Sequence, residues 1–391
     1  MSKIDDLIAE YCPDGVERKP LGAIAKLYRG NGLQKKDFTD KGIGCIHYGQ
    51  IYTRYDTFTS QTISFVDKKL ADKLLKVHPN DLIVTATSEN LEDVCKAVAW
   101  LGGSDIVTGG HSIVVRHHQN AKYLSYYFQT LDFFQRKRAY VHGTKVMEIK
   151  KDDLAKIVVP VPPLPVQEEI VRILDSFSSL EAELEAELEA ELEARRKQYA
   201  YYRNELLTFD RERVQWLKLG EAAFINKGTY ITKKQVIPGN IPVILGGVEP
   251  AYWHSESNHD GEGIVISRSG ANAGFASYWN EPIFVSDGFV LDATPGIDMR
   301  FLFHVLKKQQ AKLHSMKRGS GVPHINSKML ANNVAIPVPP LEEQQHVVSI
   351  LDRFDKLTND LSSGLPAEIE ARHKQYEYYR DRLLSFDELA V

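Results

Sequence analysis

Apolar residues recur at spacings of three and four through Ile170, Ile173 or Leu174, Phe177, Leu180, Leu184, Leu188, Leu192, Tyr199, Tyr202 and Leu206. That pattern is one stripe on a helix of about forty residues, roughly 60 Å long at 1.5 Å per residue. A second stripe runs through Val347, Ile350 or Leu351, Phe354, Leu357, Leu361, Ile369, Tyr376, Tyr379 and Leu383. Gly364 and Pro366 interrupt it, which predicts a kink or break there. Each stripe comes after a proline cluster: Pro160, Pro162, Pro163 and Pro165, then Pro337, Pro339 and Pro340. Prolines hold the backbone extended, and the acids behind them (Glu168 and Glu169; Glu342 and Glu343) suit the first turn of a helix. A long helix with a single apolar stripe needs a partner, and the other stripe is the nearest one, so an antiparallel pair is expected. Outside the stripes lie short β-like runs such as DLIVTAT, HSIVVRH, IPVILGG and GIVISRSG, broken by Gly, Asn and Asp turns. The expected fold is α/β (α+β): two globular segments with two long helices.

The two halves are related. VVPVPPLPVQEEIVRILDSF (Val158–Phe177) matches AIPVPPLEEQQHVVSILDRF (Ala335–Phe354), and ARRKQYAYYRNELLTFD (Ala194–Asp210) matches ARHKQYEYYRDRLLSFD (Ala371–Asp387), both at an offset of 177 residues. A weaker echo links GVERKPLGAIA (Gly15–Ala25) to RVQWLKLGEAA (Arg213–Ala223). Internal duplication implies pseudo-symmetry in space. The repeat divides the chain into a globular segment 1–159, a helical segment 160–210, a second globular segment 211–336 and a second helical segment 337–391. It also predicts that the chain ends lie close together, because LLTFD leads into the second globular segment as LLSFD leads to the end.

Charge changes the picture once it is located. The net charge is −4, but seven glutamates stand between Glu181 and Glu193; without them 45 acids face 48 bases. Within that LEAELEAELEAELEA stretch, like charges repel at i, i+4 by about 0.2–0.5 kcal/mol per pair, so the leucine seam must hold it. The segment reads either as a solvated coiled-coil face or as a spacer rod. In a rod, each EAEL unit adds about 6 Å and rotates the downstream chain by about 40°. Basic residues cluster at the same place in both halves: Arg136, Lys137, Arg138 and Lys145, then Lys307, Lys308, Lys317 and Arg318. Recurrence favours a phosphate-contacting patch over two unrelated helix ends. Upstream loops carry the side chains that read base edges: His47, Tyr48, Gln50 and Arg54; Ser88 and Asn90; Tyr252 and Trp253; Arg268, Ser269 and Asn272.

Other chemistry is missing from the sequence. The isolated Cys12, Cys45 and Cys95 argue against disulfides and structural zinc and suit a cytoplasmic protein. No apolar run of membrane-spanning length and no signal peptide is read. There is no GxxxxGK[ST], GxSxG or HExxH, so no catalytic residue and no metal site are assigned.

The doubled VPxPPLxxQxxIVxILDxF motif, the x-A-E-L array and the RKQYxYYRxxLLxF motif resemble the specificity subunit of type I restriction–modification enzymes, and the array resembles the IC class in particular. The second helix departs from the pattern, carrying SSGLPAEIEA where an array would stand. The resemblance implies a non-catalytic subunit whose two target-recognition domains each read half of a bipartite, asymmetric site on double-stranded DNA. The paired helices would hold the domains apart and dock two methyltransferase subunits, with restriction subunits completing the complex. S-adenosylmethionine, ATP and Mg²⁺ would belong to those partners. Carried onto this chain, the docking surface comprises Gln167, Ile170, Leu174, Tyr199 and Tyr202 in one helix and Gln344, Val347, Leu351, Tyr376 and Tyr379 in the other. The same residues suit the core of a helix pair. The alternative reading is a helical scaffold that joins proteins without binding DNA.

Overall fold

The computed structural model describes residues 3–247, 249–319, 321–359 and 363–387. The chain divides into two compact units, residues 1–185 with 370–391, and residues 186–369.

Strand runs such as Leu82–Thr85 and Ala97–Trp100 are apolar and buried on both faces, as β-branched residues in a sheet interior should be. In the first unit they join a five-stranded sheet in the order Ala25–Arg29, Ser112–His117, Leu82–Thr85, Ala97–Trp100, Phe58–Thr59. A four-stranded sheet stands beside it, in the order Ser64–Val66, Ile43–Ile46, Ile106–Thr108, Leu75–Val77. The second unit has a four-stranded sheet (Ala223–Lys227, Gly288–Ala293, Gly263–Ser267, Ala276–Trp279) and a three-stranded one (Tyr252–His254, Ile241–Ile244, Phe284–Val285). The duplication therefore reaches beyond the helices. Ser112–His117 pairs Ile113 with Arg29 on one side and Val84 on the other; Gly288–Ala293 pairs Phe289 with Lys227 and Ile266. The weak sequence echo is also structural, since Arg18–Pro20 pairs antiparallel with Val158–Pro160 and Gln215–Lys218 with Ala335–Val338.

Five helices carry the rest: α1 (Ala121–Tyr127), α2 (Leu164–Leu206), α3 (Met299–Lys308), α4 (Leu341–Asn359) and α5 (Leu365–Leu383). The expected break is found, since α4 ends at Asn359 and α5 starts beside Pro366; Leu361 lies outside the described residues. One expectation is corrected. α2 begins at Leu164, so Glu168 and Glu169 miss its first turn, whereas Glu342 and Glu343 occupy the first turn of α4. Glu169 is instead buried and held by Arg172 and Lys3, each at 2.7 Å.

Each long helix is fastened to its own unit in the same way. The Gln167 side chain accepts from the backbone N–H of Asn120, the N-cap of α1, and donates to the carbonyl of Pro162. Gln344 accepts from Asp298, the N-cap of α3, and donates to Pro339. Two turns on, Asp175 takes hydrogen bonds from Lys122 (2.6 Å) and Tyr126 (3.0 Å), and Asp352 takes them from Arg300 (3.0 Å) and His304 (2.6 Å). Burial alone would raise the Asp352 carboxyl, but the bonds from His304 and Arg300 hold it below its ordinary value.

Helix pairing is antiparallel within each unit. In the first, Phe177 faces Tyr379, Ser178 shares a 2.8 Å hydrogen bond with Tyr376, and Glu181 meets His373 at 2.8 Å, so one number falls as the other rises. In the second, Phe354 stacks on Tyr199 and Tyr202. The leucine seam is uneven, with Leu188 buried and Leu180 62% exposed.

Candidate nucleic-acid interface

In each unit, the end of a central strand meets a glycine hairpin and a short turn, forming a rim. In the first unit the chain leaving Leu82–Thr85 passes through Ala86, whose N–H donates to the His111 carbonyl (2.8 Å) and whose carbonyl accepts from Ile149 (2.9 Å). Thr87 and Ser88 then pair with Glu148 and Met147. The hairpin closes through mutual bonds between His142 and Glu148, and Gly143 sits at φ 107°, where a Cβ would come within 2.0 Å of the Val146 carbonyl oxygen.

The second unit repeats this backbone. Arg268 donates from its N–H to the Asp287 carbonyl (3.1 Å) and accepts from Ile325 (2.8 Å), Gly270 donates to Pro323 (2.9 Å), and Arg318 and His324 close a hairpin with Gly319 at φ 107°. Ala86, Thr87, His111 and Glu148 thus correspond to Arg268, Ser269, Asp287 and His324. The frame recurs, and the side chains on it differ.

Of the candidate DNA-binding residues, Arg268, Ser269, Asn272, Lys317 and Arg318 are brought together on the second rim, where the Lys317 ammonium donates to the Ala271 carbonyl. In the first unit Ser88 is buried in the rim strand, while Asn90 is turned into a reciprocal bond with Asp93. Lys145 stands exposed on the hairpin and Arg138 exposed after the helix that precedes it. Tyr48 stacks its ring 4.8 Å from His111, whose Nδ1 meets the Thr87 hydroxyl at 2.8 Å. His47 and Gln50 serve the local fold: His47 accepts from Gly49, and Gln50 bridges the His47 N–H and the Ser64 hydroxyl. Burial, then the charge of Lys35, pulls the His47 imidazole down to about 4, so it is neutral at pH 7. Arg54 is exposed, and Arg136 pairs with Asp132. Tyr252 and the exposed Trp253 lie on the three-stranded sheet, away from the sheet that leads into Arg268.

Three lysines leave the basic patch. Lys137 is 3% exposed and donates to the carbonyls of Glu92 and Val94, a core role that burial makes costly without such acceptors. Lys307 lies over the rings of Phe275 and Phe303. Lys308 caps the C-terminus of α2 through Asn204, Leu207 and Thr208.

The docking set shrinks too. Gln167, Ile170, Leu174, Gln344 and Leu351 have no exposed surface, and Val347 (3%) and Tyr199 (7%) little, because the helices bury them against their own units. Tyr202 (38%), Tyr379 (42%) and the partly exposed Tyr376 remain at the surface. Tyr376 and Tyr379 line an apolar groove with Phe177, Leu180 and Leu184. Sequence reasoning missed His111, Thr87 and Asp287, whose only signal was their position at the strand turns.

A family model described as "Type I restriction modification DNA specificity domain" matches residues 13–194 and again 212–371. The chain belongs to that family. A putative type I restriction enzyme specificity subunit of Haemophilus influenzae is 34% identical over 329 residues, covering 78% of this chain and 82% of the relative. A type I restriction enzyme specificity subunit of Escherichia coli is 35% identical over 266 residues, covering 59% of this chain and 63% of that relative, so that match spans less than two thirds of its length. Among solved structures, one concerned with complex assembly and conformational transition of the type I restriction–modification system gives a TM-score of 0.64 at 18% identity, covering 95% and 98% of the two chains. The HsdS subunit of Thermoanaerobacter tengcongensis gives 0.53 at 17%, covering 95% and 96%. At these identities the likeness speaks for the fold. The family is that of a non-catalytic specificity subunit. Among the described residues no cluster of metal-ligating side chains occurs, and no helix is long and apolar enough to cross a membrane.

Proposed function

We propose that this chain is the DNA-reading subunit of a cytoplasmic type I restriction–modification complex, with target-recognition domains at 1–159 and 211–336 and helical regions at 160–210 and 337–391. Each domain binds one half of a bipartite, asymmetric site on double-stranded DNA. The helix pair fixes the number of base pairs between the halves and docks two methyltransferase subunits, with restriction subunits in the full complex. Adenine methylation, with S-adenosylmethionine, and the ATP- and Mg²⁺-dependent steps belong to those partners. One observation carries this reading: the same rim occurs twice on one backbone frame with different side chains, the arrangement needed to read two different short sequences. Exposed Arg138, Lys145, Lys317 and Arg318 supply phosphate contacts. The surface tyrosines Tyr202, Tyr376 and Tyr379 supply the docking contacts.

The test is to map methylated adenines in cells carrying this chain with its methyltransferase partner. Two short half-sites separated by a fixed number of unspecified base pairs are expected. A protein scaffold would leave no such motif, and the purified complex would show no salt-dependent binding to duplex DNA.

A further inference from the structure

We infer that Arg268 reads a guanine in the half-site bound by the second unit, and that Asp287 is the positioning residue that aims it. The inference rests on the DNA-reading function proposed above.

Arg268 Nε donates to Asp287 Oδ1 at 2.7 Å, and the Ser269 hydroxyl donates to the other carboxylate oxygen. The carboxylate is therefore held from two sides and is 17% exposed, while the guanidinium it orients is 38% exposed. Among the described residues nothing accepts from the two terminal nitrogens of Arg268. A guanidinium fixed at Nε presents its remaining face as a planar pair of donors. That is the shape and polarity of the O6 and N7 acceptors on the major-groove edge of guanine.

The first unit indicates that this pair is not needed to build the rim. Its equivalent positions are Ala86, Thr87 and His111, and the backbone bonds are the same: Ala86 to His111 at 2.8 Å and Ile149 to Ala86 at 2.9 Å, beside Arg268 to Asp287 at 3.1 Å and Ile325 to Arg268 at 2.8 Å. A partly exposed ion pair contributes only about 0–1 kcal/mol to stability, so the fold gains little from it. There is also room for a base. Gly270, next but one to Arg268, has φ 81°, and a Cβ there would meet no atom within 4 Å. Lys227, Arg318 and His324 are exposed on neighbouring positions of the same rim and can take the flanking phosphates. The first unit has Ala86 at this position, so its half-site carries no counterpart to that guanine contact.

The experiment uses the complex of this chain with its methyltransferase partner, in cells and purified. Methylation mapping of the wild type should show a required G·C pair at some position of one half-site. Arg268→Ala should relax that position and no other, and Asp287→Asn should relax it partially, which loss of stability alone would not do. Replacing that guanine by 7-deazaguanine, which lacks the N7 acceptor, should weaken wild-type binding about tenfold and R268A binding less than twofold. If R268A does not assemble, the same duplex pair is measured with D287N, where the 7-deaza penalty should fall several-fold. A motif with no required G·C pair in the affected half-site overturns the inference, as does a guanine still required by R268A or an equal 7-deaza penalty in wild type and variant. In each of those cases the motif is still bipartite. Absence of any bipartite motif in the wild type refutes the DNA-reading function itself.

Discussion

Lys137 and Lys145 stand eight residues apart in one basic run, yet their surroundings give them opposite roles. The Lys137 ammonium is enclosed and directs its hydrogen bonds to Glu92 and Val94, whereas Lys145 projects from the hairpin. Lys137→Ala should therefore cost about 2–3 kcal/mol of stability through two orphaned carbonyls and a cavity, measured by urea unfolding, and leave the salt dependence of DNA binding unchanged. Lys145→Ala and Arg318→Ala should each lower the slope of log K against log salt by about 1 with unfolding unaffected. A reduced slope in K137A would return that lysine to the interface. Glu169 gives a second residue-scale expectation. Hydrogen bonds from Arg172 and then Lys3 lower its carboxyl to about 2, below the ordinary value near 4.3 of an unfolded chain. A depressed carboxyl contributes stability that is present above the unfolded value and is lost as pH falls toward 2. Between pH 4.5 and 2, Glu169→Gln should lose less stability than the wild type in acid titrations followed by circular dichroism. Parallel curves would exclude the pairing. None of these roles was legible in the sequence, because each depends on which carbonyl or carboxylate the fold brings alongside.

Helices fared better, and for a physical reason. A stripe at 3.6-residue period is local information, so the start of α2 after Pro163, the end of α4 before Gly364 and the antiparallel pairing could all be read from the residues alone. The stripe gives the face that is buried but not what buries it. Ile170, Leu174, Val347 and Leu351 pack into the cores of their own units rather than into a free helix pair, and the docking residues inferred from them disappear inside. The EAEL segment is where the element itself has a measurable role. Glu183, Glu187 and Glu191 gain nothing from facing one another, and Leu180 is largely exposed, so the stretch is poorly tuned for stability. A spacer role explains that. Deleting one EAEL unit shortens the helix by about 6 Å, close to two base-pair steps of roughly 3.4 Å, and should reduce the gap in the mapped motif by about one to two base pairs. Both half-sites should remain as they were; an altered half-site would refute the spacer.

For the whole molecule, the duplication has a consequence for connectivity. The Val16 N–H donates to the Asp387 carbonyl at 2.9 Å, and Leu384 joins Cys12 and Val16 in the core of the first unit. The chain leaving α5 thus arrives where the first globular segment begins, much as the chain leaving α2 at Leu207 runs through Asp210 and Arg213 into the strand Gln215–Lys218. The two junctions are equivalent in the repeat, but a peptide link spans only one of them. A permutant that joins residue 387 to residue 13 through a short Gly/Ser linker and opens the exposed link at Arg211–Glu212 exchanges which junction is covalent. It keeps every strand pairing and both rims. Loop-closure entropy changes slowly with length, by about 0.6 kcal/mol per doubling, so the rearranged chain should be destabilised by only about 1 kcal/mol. With the methyltransferase partner it should methylate the same bipartite motif with the same gap. A permutant that folds, by circular dichroism and urea unfolding, but yields a different gap would mean that the covalent link at Arg211, rather than the paired helices, sets the spacing. A permutant that fails to fold would mean that the contact between Val16 and Asp387 depends on the native chain order and that the two junctions are not interchangeable.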